Sequence, residues 1–179
     1  YDAMWWFFDF DPHMDETYDN DAFKTAVNNR AFRLSIVYGI DRVKAMSCYD
    51  PYSPEEYLMN TITPPNFVAV DGKDYTMTGE LEAVTEQNWF QPETALRYKE
   101  QAMVELSAQG VTFPLVFPYY YRVDQANQDL VAQVIEQQLE ELLGKDYIDI
   151  VPVAGPANNY NSEVRNAGKY GLMEEGWGP

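Results

Sequence analysis

The sequence predicts an α/β fold in which a mixed sheet is flanked by helices. Segments with apolar residues at three- and four-residue spacing, typical of amphipathic helices, alternate with short aromatic or alternating segments typical of strands. That alternation favours a layered α/β architecture. The 179 residues suit one domain with a sizeable core, and a hydrophobic content of 46% excludes a disordered chain.

The first half of the chain is predicted to begin with a strand. Residues 1–10 are rich in aromatic side chains and end before Pro12, which suits a buried strand, and residues 11–21 form an acidic turn. A helix over residues 29–42, with Asn28 or Asn29 as its N-cap, follows. Its apolar positions share one face: Phe32, Ile36, Val37 and Ile40. The run 53–56 (SPEE) signals another helix start, and residues 61–78 are predicted to be loop.

The second half is predicted to alternate regularly between helices and strands. Residues 91–109 form a helix that ends at Gly110, and residues 113–121 form an aromatic strand. Asp124 caps the next helix, whose apolar face runs to Gly144. Residues 147–153 alternate like a strand, residues 159–170 form a weak helix, and residues 172–177 form a final strand.

Composition excludes several classes of partner. Twelve basic against 29 acidic residues give a formal charge of −17, which repels nucleic acid and anionic lipid. Cys48 is the only cysteine, so no internal disulfide can form. No apolar run reaches the ~20 residues of a membrane helix, and no signal peptide is recognisable. Because the chain lacks an initiator Met, it is interpreted as an excised piece of a longer protein.

Motifs for catalysis, metals and cofactors are weak, so no cofactor is expected. His13 is the sole histidine, and a hydrolase of unknown type, built on His13 with two carboxylates, stays open as an alternative. The aspartates of residues 9–21 do not match an EF-hand and are interpreted as a solvated loop. Adjacent carboxylates such as Glu174-Glu175 do not face one another and are interpreted as solvated surface.

Several blocks, in order, resemble extracytoplasmic solute-binding proteins of family 5, the oligopeptide- and dipeptide-binding proteins of ABC importers. Residues 32–42 (FRLSIVYGIDR) look like that family's FR…AIDR helix. Similar blocks follow in the family's order over residues 92–96, 105–115, 131–139, 148–152, 169–172 and 176–179. The resemblance runs from about Phe23 to Pro179. Ser35 and Gly39 stand where the family more often has Ala, which still permits close helix packing.

The resemblance implies a periplasmic-binding-protein-like (type II) fold. Residues 1–179 would form a single domain, most of the C-terminal lobe of a two-lobed receptor. It implies an oligopeptide ligand held between two lobes, an ABC permease as membrane partner, a monomer, and no enzymatic activity. It also implies an extracytoplasmic location, in the periplasm or on the outer face of the cell membrane, with a lipid anchor on the full-length protein.

The resemblance places ligand contacts at Gly176, Trp177 and Gly178, where an extended peptide would add to a sheet edge through main-chain hydrogen bonds. The family's following DY-x-DP segment, whose Asp pairs with the ligand's α-amino group, would begin where the chain stops, so that anchor is assigned to no residue. The aromatic runs 5–8 and 118–121 keep an oligosaccharide open as the alternative ligand, because Trp and Tyr stack on sugars.

Overall fold

The chain forms a four-stranded mixed sheet with helices packed against it, in a computed structural model that describes residues 3–177. The elements follow in this order: β1 (Ala3–Phe8), α1 (Asn20–Asn28), α2 (Arg30–Gly39), α3 (Arg42–Met46), β2 (Ala69–Val70), β3 (Lys73–Asp74), α4 (Leu81–Glu86), α5 (Pro92–Ala108), β4 (Leu115–Tyr121), α6 (Gln128–Leu143), β5 (Ile148–Ala154) and β6 (Leu172–Trp177).

The main sheet has the strand order β1-β6-β4-β5. β5, β4 and β6 run parallel, and β1 is antiparallel to β6, so the sheet is mixed as predicted. The parallel ladder between β4 and β5 covers their full length, from Leu115 opposite Ile148 to Tyr121 opposite Ala154. The ladder between β4 and β6 is short and joins only Tyr119 to Leu172 and Tyr120 to Met173. Beyond Met173 the two strands separate.

The core lies between one face of the sheet and helices α1, α2, α5 and α6. At the contact of α2 with α6, a Cβ added to Gly39 would lie 3.1 Å from Cδ2 of Leu139. The buried hydroxyl of Ser35 donates to the carbonyl of Phe32 and lies 2.9 Å from the hydroxyl of Tyr147. Small residues at positions 35 and 39 thus allow the close helix packing that the sequence predicted.

Most of the predicted elements are confirmed. α2 begins after Asn29, whose side chain accepts from the Phe32 amide as an N-cap. The single helix predicted over residues 29–42 was wrong in its extent, because α2 ends at Gly39 and Asp41 caps the separate helix α3. Of the predicted apolar face, Val37 is 40% exposed and the other three residues are buried. α5 and the aromatic strand β4 match their predicted segments, and α6 ends at Gly144, whose φ of 90° suits glycine. β5 and β6 also match. Within residues 3–177, no helix is long and apolar enough to cross a membrane.

Three predictions about local structure were wrong. β1 is a strand, but it is not buried as predicted: it lies at the edge of the described sheet, and Met4 and Phe7 are 42% and 41% exposed. Asp124 does not cap α6, because its carboxylate pairs with Arg122 at 3.2 Å and the helix starts only after Asn127. Residues 61–78 are not all loop, since β2 and β3 form a small antiparallel hairpin.

Helix predictions elsewhere were only partly right. The run 53–56 starts a single 3-10 turn, Pro54–Tyr57, without a side-chain capping bond. Residues 159–170 contain one π-helical turn, Asn161–Arg165. α1 was not predicted, although Phe23, Ala26 and Val27 are buried at helical spacing. α4 was not predicted either.

Candidate functional site

A cavity of about 340 Å³ lies beside β1 and β6, near the end of α3 and the loop before α6. Its walls are mainly aromatic and apolar: Met4, Trp6, Met46, Tyr49, Leu58 and Ala126. Apolar pockets with a few convergent polar groups are the usual form of a ligand site. The polar groups here are those of Glu174, Arg42, Gln125 and Gln128.

Glu174 is the buried acid of this cavity, with 2% of the residue exposed. The hydroxyl of Tyr49 donates to both carboxylate oxygens, at 2.9 and 3.0 Å. Burial raises the pKa of Glu174 to about 7, the hydrogen bond from Tyr49 opposes this rise, and the charge of Glu175 adds to it. Burial, together with the charge of Glu174, raises the pKa of Tyr49. The site therefore holds a carboxyl that titrates near neutral pH.

Trp6 is held against Glu174 by the sheet. The two residues lie opposite each other in the ladder between β1 and β6. The indole Nε1–H of Trp6 donates to the hydroxyl of Tyr119 at 2.9 Å, and Tyr119 is fully buried. This bond joins two strands that do not pair directly with each other. It fixes the aromatic wall of the cavity beside the carboxyl of Glu174.

Arg42 lines the cavity on the side of α3. Its guanidinium donates to the carbonyl of Met59 at 3.0 Å and to Oδ1 of Asn60 at 2.7 Å, and burial lowers its pKa. Among the described residues, it forms no ion pair with a carboxylate. The neighbouring Asp41 instead caps α3 by accepting from the Lys44 amide at 3.1 Å.

Glu175 faces the opposite side of the sheet from Glu174, as the alternation of side chains along a strand requires. Its Oε2 lies 3.7 Å from Nη1 of Arg122 and 3.9 Å from Nη1 of Arg165. The guanidinium of Arg122 stacks over the ring of Tyr160 at 4.8 Å. The two adjacent carboxylates therefore have different surroundings: Glu175 lies near two arginines, and Glu174 is enclosed by the cavity.

One edge of β6 lacks a strand partner over part of its length. Residues 174–177 pair with β1 only, because among the described strands the ladder to β4 stops at Met173. The amide of Gly176 donates to Oε1 of Glu175 at 3.3 Å. The part of β6 beyond Met173 is therefore the part to which another strand could be added on the side of β4.

The predicted contact residues fall partly within the described chain. Gly176 lies in β6 opposite Met4, and the backbone of Trp177 lies opposite Ala3. Gly178 lies outside the described residues. The sequence missed Glu174, and interpreting Glu174-Glu175 as solvated surface was wrong. The available signal was the alternation of residues 172–177, which places one acid of the pair toward the core.

The acidic loop forms no second enclosed site. His13, Asp9 and Asp11 line an open surface depression, and His13 is exposed. Asp11 is paired with Lys24, and the residues that line the depression include no serine, threonine or cysteine. Within residues 3–177, no group of three or more acidic, cysteine or histidine residues is arranged to hold a metal ion.

The fold is that of a lobe of a substrate-binding protein. An oligopeptide ABC transporter substrate-binding domain from Bacillus anthracis matches 99% of this chain and 30% of its own chain, with a TM-score of 0.73 and 15% identity. Listeria monocytogenes OppA bound to peptide matches 99% of this chain and 31% of its own, with a TM-score of 0.69 and 19% identity. The predicted periplasmic-binding-protein-like fold is confirmed.

The chain belongs to the bacterial extracellular solute-binding proteins, family 5, whose "Middle" model matches residues 2–179. The oligopeptide-binding protein AliA of Streptococcus pneumoniae is 31% identical over 87% of this chain and 27% of its own length. The oligopeptide-binding protein AliB of the same species is 28% identical over 86% of this chain. The chain spans about a quarter of these relatives (26% of AliB). The predicted family is confirmed.

Proposed function

We propose that this chain is most of the C-terminal lobe of a two-lobed receptor that captures oligopeptides for an ABC importer. Membership of family 5 and the names of AliA and AliB support this function. The observation that carries it is the edge of β6 that has no partner beyond Met173 among the described strands and lies next to a mainly apolar cavity. Peptide receptors commonly bind an extended ligand by adding it to such an edge.

The peptide would lie along residues 174–178, with main-chain hydrogen bonds to Gly176, Trp177 and Gly178. The amide of Gly176 would then donate to the ligand in place of Oε1 of Glu175. Side chains of the ligand would alternate between the two faces of the extended sheet. One of them would enter the cavity beside Glu174, while the second lobe covers the peptide.

The receptor would act by binding and not by catalysis. Closure of two lobes around the ligand is a hinge motion, and the ligand favours the closed state by contacting both lobes. The closed receptor, a monomer held outside the cytoplasm by a lipid anchor, would then dock to its permease. Because half of the contacts come from the other lobe, the isolated lobe is expected to bind peptide weakly.

Native mass spectrometry of the gently purified full-length receptor tests this proposal. The expected result is a set of co-purifying masses that fragment as short peptides and disappear after denaturation. An oligosaccharide is the alternative ligand, because the aromatic side chains of Trp6 and Tyr49 line the cavity. If a sugar is released on denaturation, the receptor binds an oligosaccharide and the peptide proposal is wrong. Absence of binding after challenge with mixed peptides would overturn it. Cleavage of added peptides would instead establish a hydrolase.

A further inference from the structure

The cavity combines aromatic walls with a buried acid. We propose that it takes the cationic side chain of a lysine or arginine of the bound peptide, and that Glu174 is the residue that selects it. This inference rests on the proposed peptide-receptor function and adds a side-chain preference to it. It also assigns a ligand-binding role to Glu174, Trp6 and Tyr49.

The carboxylate of Glu174 has unused capacity to accept hydrogen bonds. Both of its oxygens accept from the same hydroxyl, that of Tyr49, whereas an ionised carboxylate offers about four lone-pair sites. Among the described residues, no lysine or arginine forms an ion pair with it, although Glu175 has two arginines nearby. A buried charge without a partner is costly, so a cationic ligand group would be strongly favoured here.

The walls suit the other parts of a lysine or arginine side chain. Met4, Met46 and Leu58 offer apolar contacts for the methylene stem. Trp6 and Tyr49 offer aromatic rings beside the carboxyl, and cations are attracted to such rings within about 6 Å of the centroid. A long side chain with a terminal charge therefore matches the cavity from its walls to its buried acid.

An acidic ligand side chain is the competing occupant, because Arg42 also lines the cavity. The guanidinium of Arg42, however, already donates to the carbonyl of Met59, which lines this cavity as well as a neighbouring one, and to Asn60, which lines the neighbouring one. Glu174, by contrast, accepts from one hydroxyl only among the residues that the structure describes. The formal charge of −17 also favours a cation over an anion near this surface. Neither charge has an ion-pair partner among the described residues, but Arg42 has two hydrogen-bond partners and Glu174 has one, so the acid is the less satisfied of the two.

Calorimetric titration of the full-length receptor with matched pentapeptides tests the inference. At each position in turn, the peptide carries lysine, its neutral analogue norleucine, or glutamate. We expect one position at which the lysine peptide binds about tenfold or more tighter than the norleucine peptide. This is the ratio of affinities that one hydrogen bond to a charged group produces. Glu174→Gln should remove most of that ratio, by weakening binding of the lysine peptide far more than binding of the norleucine peptide. Glu100→Gln, at an exposed glutamate of α5 that does not line the cavity, is the matched control and should keep the ratio.

A second variant keeps the test decisive if Glu174→Gln disturbs folding. Met46→Lys places a cation inside the cavity and should abolish the lysine preference while Glu174 stays in place. A preference for lysine that survives both variants, or tightest binding of the glutamate peptide at that position, overturns the inference. Peptide binding without any lysine preference also overturns it and leaves the receptor function intact. If no peptide binds at all, the proposed function itself fails.

Discussion

Replacing Tyr49 with phenylalanine should raise the pKa of Glu174. The hydroxyl of Tyr49 donates to both carboxylate oxygens, at 2.9 and 3.0 Å, and so stabilises the ionised form. A hydrogen bond to a charged group contributes about 1.5–3 kcal/mol, and one pH unit corresponds to about 1.4 kcal/mol. Tyr49→Phe keeps the ring and removes only this bond. We therefore expect the pKa to move from about 7 to about 8–9.

Carbon-13 NMR of the receptor labelled at the glutamate side-chain carboxyl measures this pKa directly. The resonance of Glu174 is identified by its absence in Glu174→Gln and is followed as a function of pH. Tyr52→Phe is the control, because Tyr52 is 93% exposed and does not line the cavity. An unchanged or lowered pKa in Tyr49→Phe would refute the hydrogen bond as the factor that favours ionisation.

Three further predictions concern stability, each measured by urea unfolding of the full-length receptor. The pKa of Glu174 is raised from 4.5 to about 7, so its protonation stabilises the fold fully below pH 4.5, and this contribution is lost as the pH rises through about 7. As the pH rises from 4.5 to above 7, the free energy of unfolding of Glu174→Gln should therefore increase by about 3 kcal/mol relative to that of the wild type. A difference that does not change with pH would contradict the burial of the acid. Leu139→Ala should destabilise by about 2–5 kcal/mol, and Leu130→Ala, on the same helix but 45% exposed, by clearly less. Tyr147→Phe should cost about 0.5–1.5 kcal/mol by removing its hydrogen bond to Ser35, and an effect as large as that of Leu139→Ala would contradict this.

The order of elements could be predicted because it depends on local patterns. The helical spacing of residues 91–109 and the glycine after α6 act within a few residues, and the structure matches both. α1 carried the same kind of signal. Asp19 caps it by accepting from the Ala22 amide at 2.9 Å, and Phe23 is buried one turn later. The acidic composition around it concealed a helix that periodicity alone would have found.

The start of α6 shows why boundaries are harder to predict than elements. Asp124 has the residue type of an N-cap, but its carboxylate is engaged by Arg122. Asn127 then takes a left-handed conformation, with φ at 66°, immediately before the helix. A competing ion pair and a turn thus shifted the helix start by several residues. Neither can be read from the capping pattern of the sequence.

The cavity could not be predicted because its parts lie far apart in the chain. Trp6 and Tyr119 are separated by 113 positions, and Tyr49 and Glu174 by 125. Adjacent acids at positions 174 and 175 look alike in the sequence. Only the assembled sheet shows that one is enclosed by aromatic rings and the other faces arginines. The resemblance to family 5 predicted ligand contacts at the end of β6, and this stays a prediction; it did not indicate the buried acid in the same strand.

A crystal structure of the full-length protein, grown with a lysine-containing peptide, tests the proposed peptide-binding function most directly. We expect an extended peptide hydrogen-bonded to the main chain of residues 176–178, with one side chain in the cavity beside Glu174. A peptide bound elsewhere, or a cavity and β6 edge without any ligand contact, would contradict it.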